Sequence, residues 1–295
     1  MRSEELWGVL PVDKPEGPTS HDVVAAARRA LGTRRIGHTG TLDPFASGLL
    51  LLCIGRATRL AEYLSELPKT YVAAARLGVS TDTDDRTGAV VASSERWREL
   101  SAAEIEAAFQ SQVGRILQVP PRYSAKRVGG ERMYRLARRG ETPEARPVPV
   151  TVYRLEVRSL DLPVVEFEVE CSSGTYVRAI ARDVGEKLGT GAHLIALRRT
   201  RIGVHHVAGA LPMDRLGERE AVAAALLSPL AALSHLPVVE VSEHEAVEIG
   251  NGVPIAAPEG LATGGLVAVA FEKELLAVAA VESGSLVPRK VFPRE

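Results

Sequence analysis

The chain has 295 residues, 45% hydrophobic and 25% charged, with a net charge of −1. This is ordinary globular composition, enough for one large domain or one domain plus a small one, and the overall charge does not by itself mark a nucleic-acid binder. Its two cysteines, Cys53 and Cys171, lie far apart in apolar segments with no Cys-x-x-Cys pair; a disulfide framework and a zinc site are not expected, and a reducing cytoplasm fits. Met1 to Glu5 is charged and lacks an apolar signal core, and the apolar stretch Leu266 to Val281 is interrupted by Glu272, Lys273 and Glu274. No membrane span is expected.

Leu6 to Val12 reads as a short strand, followed by a Pro/Gly turn from Asp13 to Pro18. Thr19 or Ser20 then caps a helix reaching Leu31, with Val23, Ala27 and Leu31 on one face and Gly32 as its stop. After a glycine-rich segment, Leu49 to Ile54 is a buried apolar strand or helix start, and a short helix runs to about Leu64. Thr70 to Leu77 is a strand. Asp82 to Gly88 is an acidic turn with some look of a calcium loop, but the twelfth-position Glu and the EF-hand flanks are absent and no metal is expected there. Ser101 with Glu104 forms a capping box for a helix through Phe109. Val119 to Arg127 reads as an irregular basic loop and Glu131 to Arg139 as a short basic helix. Val148 to Leu155 and Val164 to Cys171 are strands, the second alternating apolar and acidic residues. Ser172 to Thr175 turns the chain into a helix that contains Tyr176, Arg178, Arg182 and Asp183 and ends near Gly189. Leu194 to Ile202 follows, then one helix from Arg219 to Leu233, a linker from Ser234 to Pro237, and a β-rich appendage with a hairpin at Leu266–Phe271 and Leu275–Val281.

Charge is unevenly distributed. From Leu236 onward four basic residues face nine acidic ones, whereas the rest of the chain has 32 basic against 28 acidic. Arg115 to Arg139 holds eight basic residues, including Arg115, Arg122, Lys126 and Arg132, against Glu131 alone, with Tyr123 and Tyr134 interleaved. That pattern reads either as an RNA-binding surface or as a solvated basic face.

The segment the chain is organised around is Gly37-His38-Thr39-Gly40-Thr41-Leu42-Asp43-Pro44-Phe45-Ala46-Ser47-Gly48. A loop delivered onto a buried apolar run is where chemistry is commonly placed. Asp43 is its one acid, and Pro44 restricts Asp43 to extended geometry. Two readings stay open from spacing alone: a held, reactive carboxylate, or an Asp N-cap with Pro at the first helical position. No Gly-Lys-Ser/Thr ending follows, so a phosphate-binding loop is not expected. Asp43, His38, Tyr71, Tyr176 and Arg178 are the candidate chemical groups. Each also has a structural alternative, such as a loop-capping role for His38 or a surface pair with Asp183 for Arg178.

The same segment closely resembles the catalytic motif of the TruB family of tRNA pseudouridine synthases. The likeness extends to Asp13-Lys14-Pro15, Lys69-Thr70-Tyr71, Pro120-Pro121-Arg122-Tyr123, Gly174-Thr175-Tyr176-Val177-Arg178 and Leu197-Arg198-Arg199, in family order. The resemblance implies an α+β fold, with a mixed, mostly antiparallel central sheet flanked by helices and loops over residues 1–235, and a PUA-like domain over 236–295. It implies isomerisation of uridine to pseudouridine at position 55 of the tRNA T-loop by base flipping, with no cofactor and no metal, by a cytoplasmic monomer that binds the tRNA T-arm. By the same analogy Asp43 is the nucleophile, Arg178 pairs with it, and Tyr71 stacks on the flipped base. His38, Tyr176 and Leu197 contact the substrate, and Lys14 supports the loop.

Overall fold

The computed structural model describes residues 6–123, 127–128, 131–132, 139 and 146–292. Among these, ten strands form one mixed sheet. Its main path runs Leu211–Pro212, Gly8–Lys14, Ser47–Ile54, Ala192–Ile202, Lys69–Leu77, Val164–Cys171, Val148–Asp161 and Gly114–Gln118. Every pairing on that path is antiparallel except those of Gly8–Lys14 with Leu211–Pro212 and of Ala192–Ile202 with Ser47–Ile54. The expected α+β architecture is therefore present.

The Ser47–Ile54 strand shows why its sequence is continuously apolar rather than alternating. Leu50, Leu52 and Ile54 pack with Val23, Val24 and Ala27 of the Ser20–Leu31 helix. Leu49, Leu51 and Cys53 point the other way, into a cluster with Ala268, Val278 and Phe292 of the C-terminal region. A strand covered on both faces needs apolar residues at every position. Each fully buried Leu contributes about 1.5–3 kcal/mol of transfer free energy, so this strand is a rigid mount for the loop that precedes it. The Ser20–Leu31 helix starts with a capping box between Thr19 and Asp22 and ends at Gly32 in the left-handed conformation, φ 66°.

A second, five-stranded sheet runs Val238–Glu240, Leu266–Phe271, Glu274–Glu282, Ser285–Val291 and Ile255–Ala256. It contains the expected hairpin. Trp7 stacks on Phe292 with ring centroids 6.0 Å apart, and Arg59 donates to the Val291 carbonyl at 2.6 Å. The two sheets are thus joined through a common apolar cluster. No described helix is long and apolar enough to cross a membrane.

Two expectations need correction. Arg219 to Leu233 is not one helix but two, Arg219–Ala225 and Pro229–Ala232. Proline disfavours helical geometry in the residue before it, and Ser228 instead caps the second helix. Between them Leu227 exchanges backbone hydrogen bonds with Val9. Within the expected Glu131–Arg139 helix, Glu131–Arg132 is extended and pairs with Arg127–Val128; the sequence between them is Gly-Gly, which hairpin turns favour. Residues 133–138 lie outside the described residues, as does most of the expected basic surface, although Arg115 and Arg122 are described and exposed.

Candidate active site

The glycine-rich loop leaves the short strand Ile36–His38 and re-enters the sheet at Ser47. Asp43 starts no helix. Residues Pro44–Phe45 form a turn closed by the Ala46 amide donating to the Asp43 carbonyl at 3.1 Å, so the N-cap alternative does not hold.

The loop is held from two sides. On one, Ser20 Oγ accepts from the Leu42 amide at 2.8 Å, and the Gly17 amide donates to the Pro44 carbonyl at 2.7 Å. Lys14, fully buried, donates from Nζ to the Pro15 and Pro18 carbonyls at 2.8 Å and reaches Pro44 at 3.5 Å. Burial pushes its pKa down to about 8, partly offset by the Asp43 charge. On the other side Arg199, 1% exposed, donates to the carbonyls of Leu49 at 2.7 Å, Gly40 at 3.0 Å and Thr41 at 3.4 Å. Gly48 lies against the Arg199 backbone at φ 107°, where a β-carbon would stand 2.2 Å from the Arg199 carbonyl oxygen. Only glycine permits that approach.

Asp43 faces Arg178, the second residue of the Val177–Leu188 helix. Arg178 Nη2 donates to Asp43 Oδ1 at 3.1 Å. Nε lies 3.0 Å from Oδ2, close enough for charge attraction but off-axis for a hydrogen bond. The guanidinium is buried and both its terminal nitrogens are engaged elsewhere too: Nη1 donates to the Thr83 carbonyl at 2.8 Å and reaches Asp85 Oδ2 at 3.4 Å, while Nη2 donates to the Tyr123 carbonyl at 3.0 Å. Asp85 is held by the Thr87 amide at 2.9 Å and by the hydroxyls of Thr83 and Thr87. Burial pushes the Asp43 carboxyl above the ordinary carboxylate value, Arg178 pulls it back, and the Asp85 charge pushes it up again.

These groups open onto a cavity of about 1080 Å³, slightly above the ~300–1,000 Å³ usual for ligand sites. His38, Asp43, Tyr71, Tyr176, Arg178 and Leu197 all line it; Lys14 does not, and sits beneath the loop instead. Tyr71 and Leu197 are 9% and 7% exposed on adjacent antiparallel strands. Burial raises the Tyr71 pKa, with the Arg199 charge pulling the other way, so the phenol keeps its proton at neutral pH. His38 Nδ1 accepts from the Gly40 amide at 3.2 Å, and burial lowers its pKa, which keeps the ring neutral. The described residues hold no cluster of three or more His, Cys, Asp or Glu suited to a metal ion.

Sequence reasoning assigned no role to Arg199, Asp85 or Gln118. Arg199 stands in one of the quoted motifs, and Asp85 in the acidic turn, but the Leu49 carbonyl that Arg199 meets and the Arg178 that Asp85 meets are more than 90 residues away in sequence.

Two family descriptions cover most of the chain. Residues 28–177 match the N-terminal domain of the TruB family of pseudouridylate synthases, and residues 178–233 match the C-terminal domain of tRNA pseudouridylate synthase B. Similar proteins include the tRNA pseudouridine synthase B of Arthrobacter sp. (strain FB24), 47% identical over 264 residues, 88% of this chain and 85% of the relative. That of Geobacillus thermodenitrificans is 41% identical over 299 residues, 97% of this chain and 99% of the relative. Among solved structures, an H/ACA RNP bound to a substrate RNA containing 2′-deoxyuridine superposes with a TM-score of 0.75 at 27% identity, over 97% of this chain and 85% of the other. The archaeal box H/ACA sRNP Nop10–Cbf5 complex gives the same score and identity over 99% and 88%. The chain belongs to the TruB family of pseudouridylate synthases, isomerases that convert uridine to pseudouridine in tRNA.

Proposed function

We propose that this chain acts on the uridine at position 55 in the tRNA T-loop, with Asp43 as the nucleophilic carboxylate. The observation that carries the assignment is the Asp43–Arg178 pair, whose carboxylate keeps 33% of its side-chain surface open to the cavity while the guanidinium is 4% exposed. The reaction breaks the bond from ribose C1′ to uracil N1, turns the base, and rejoins it through C5, with the C5 hydrogen lost as a proton. It consumes no electrons and no phosphate. Addition at C6, attack at C1′ and a route through a glycal all use the ionised form of the same carboxylate. Arg178 favours the ionised form of Asp43 against the burial that raises its pKa.

The target base must leave its stack, at a cost of about a few kcal/mol. Stacking on Tyr71 returns roughly 1–3 kcal/mol of that. Tyr71 is read as a proton-transfer group at C5; its phenol holds its own proton, so it takes the C5 proton only after passing that proton to another acceptor. Tyr176 and Leu197 shape the uracil pocket, and His38 contacts the T-loop or fills the space the base leaves. Residues 236–295 are read as a PUA-like module on the strength of their separate five-stranded sheet, although their acidic balance makes them a weak electrostatic partner for RNA. The chain is read as a monomer that recognises the T-arm alone.

Release of tritium from tRNA labelled at uridine C5, wild type beside Asp43→Asn, tests the assignment. Release by wild type alone, mapped to position 55, is expected. Release at full rate by Asp43→Asn, or mapping to another position, overturns it.

A further inference from the structure

Gln118 ends the Gly114–Gln118 strand, and its side chain is fully buried. Its amide makes a reciprocal pair with the backbone of one residue: the Tyr176 amide donates to Gln118 Oε1 at 2.8 Å, and Gln118 Nε2 donates to the Tyr176 carbonyl at 3.1 Å. The pairing settles which amide atom is oxygen, since an N–H must meet an acceptor and a carbonyl a donor.

Tyr176 is the N-cap of the helix that carries Arg178, at φ −98° and ψ 107°, and no side chain of its own caps that helix. Its carbonyl already receives the Ala179 and Ile180 amides at 3.1 and 3.3 Å. The Gln118 amide therefore fixes, from outside, the point where the chain turns into the helix. Two residues on, Arg178 leaves for Asp43.

The connection closes on itself. Beyond Gln118 the chain passes through Val119, whose carbonyl accepts from Arg182 at 2.9 Å, and through Pro120 and Pro121 to Tyr123, whose carbonyl accepts from Arg178 at 3.0 Å. Two consecutive prolines fix φ and stiffen this strut. Gln118, Tyr176, Arg178 and Tyr123 thus form a ring in which a shift at any member moves the guanidinium against Asp43.

We infer that Gln118 is a positioning residue for the isomerisation, setting where Arg178 and the Tyr176 ring stand relative to Asp43. The inference rests on the role proposed above for the Asp43–Arg178 pair. It goes further in assigning a neutral, buried amide that does not line the cavity a share of the rate.

The test uses Gln118→Glu, which keeps the shape. Ionised, the glutamate would face the Tyr176 carbonyl with a second acceptor; protonated, its O–H would donate to that carbonyl and its C=O would still accept the Tyr176 amide. Burial raises a carboxyl pKa by up to about 3–5 units, so this switch falls near neutral pH. Single-turnover pseudouridine formation by Gln118→Glu is expected to be about 100-fold below wild type at pH 9, the scale of a 1 Å misplacement. It should approach wild type near pH 6. Amide-exchange protection of residues 174–180 should follow the same pH dependence.

A Gln118→Glu profile parallel to that of wild type overturns the inference. So does Gln118→Leu, folded, at the wild-type rate. If Gln118→Leu does not fold, the glutamate variant at low pH still decides. An Asp43→Asn control that keeps turnover identifies failure of the underlying assignment rather than of this one.

Discussion

The two sheets of this molecule treat charge in opposite ways. Every buried polar or charged side chain among the described residues, from Lys14 to His205, belongs to the part of the chain before residue 206. The C-terminal sheet is closed instead by Val239, Val241, Ile249, Val267, Val269, Leu276 and Leu286. Burying an ammonium or guanidinium costs several kcal/mol unless hydrogen bonds and opposite charge replace the lost water. Lys14, Arg178 and Arg199 recover that cost through carbonyls of loops that would otherwise be poorly fixed. The large sheet spends stability on holding a loop in one geometry; the small sheet has no such loop and packs like an ordinary core. A substitution near the cavity should therefore move rate more than stability, and one in the shared apolar cluster should do the reverse.

The sharpest break between the two is Asp43→Asn. Tritium release should fall by about 10⁴-fold or more, the scale of losing a nucleophile. Unfolding free energy at pH 8 should change by less than about 2 kcal/mol, because the fold already disfavours the charged carboxyl and Arg178 keeps Asp85 and two carbonyls. Phe292→Ala should do the opposite. Removing a ring that is 2% exposed and stacked on Trp7 should cost about 3–5 kcal/mol in denaturant unfolding, with turnover per folded molecule unchanged. A large rate loss in Phe292→Ala would show that the sheets are coupled rather than merely joined.

Gly48→Ala should affect both quantities, since its β-carbon would collide with the Arg199 backbone. A loss of about 3 kcal/mol is expected by thermal unfolding, together with lower turnover.

Two pH effects are smaller. In the proposed reaction the Asp43 carboxyl acts ionised, and its pKa is raised, so the acid limb of kcat/KM should lie above the ordinary Asp value of about 3.9. Lys14 titrates near 8 in the folded chain and near 10.4 unfolded, so between those values the unfolded chain binds more protons and the Lys14 contribution to stability rises with pH. Lys14→Met should remove that rise, so its stability relative to wild type should fall by about 2–3 kcal/mol from pH 8 to pH 10.5.

Much of the fold was legible because it is local. Thr19 with Asp22 and Ser101 with Glu104 cap their helices through residues three apart, and Gly32 and Gly189 end helices in the left-handed conformation. The hairpin at Leu266–Phe271 follows from two apolar runs around Glu272 and Lys273, both of which take positive φ. The single helix expected over Arg219 to Leu233 went wrong at Pro229, where alanine and leucine propensity outweighed a breaker visible in the sequence. The Asp43 N-cap alternative could not be settled locally, because an Asp-Pro step suits a helix start and a tight turn equally.

The sequence by itself determined the buried apolar run that mounts the loop, the capped helices beside it, and, through the motif resemblance, the family and the candidate Asp43, Tyr71 and Arg178; that the run is a strand came from the structure. Only the tertiary structure decided what surrounds them. Arg199 reaches the loop because the Ala192–Ile202 strand pairs in parallel with Ser47–Ile54, Arg199 opposite Gly48. Asp85 comes beside Arg178 because the acidic turn bridges to Leu194. Gln118 meets Tyr176 because one sheet edge abuts one helix start. These are contacts between residues tens to more than a hundred positions apart, made by buried polar groups with no periodicity of their own. A pattern along the chain records which face of an element is apolar; which charged group lies under which carbonyl is set when the elements pack.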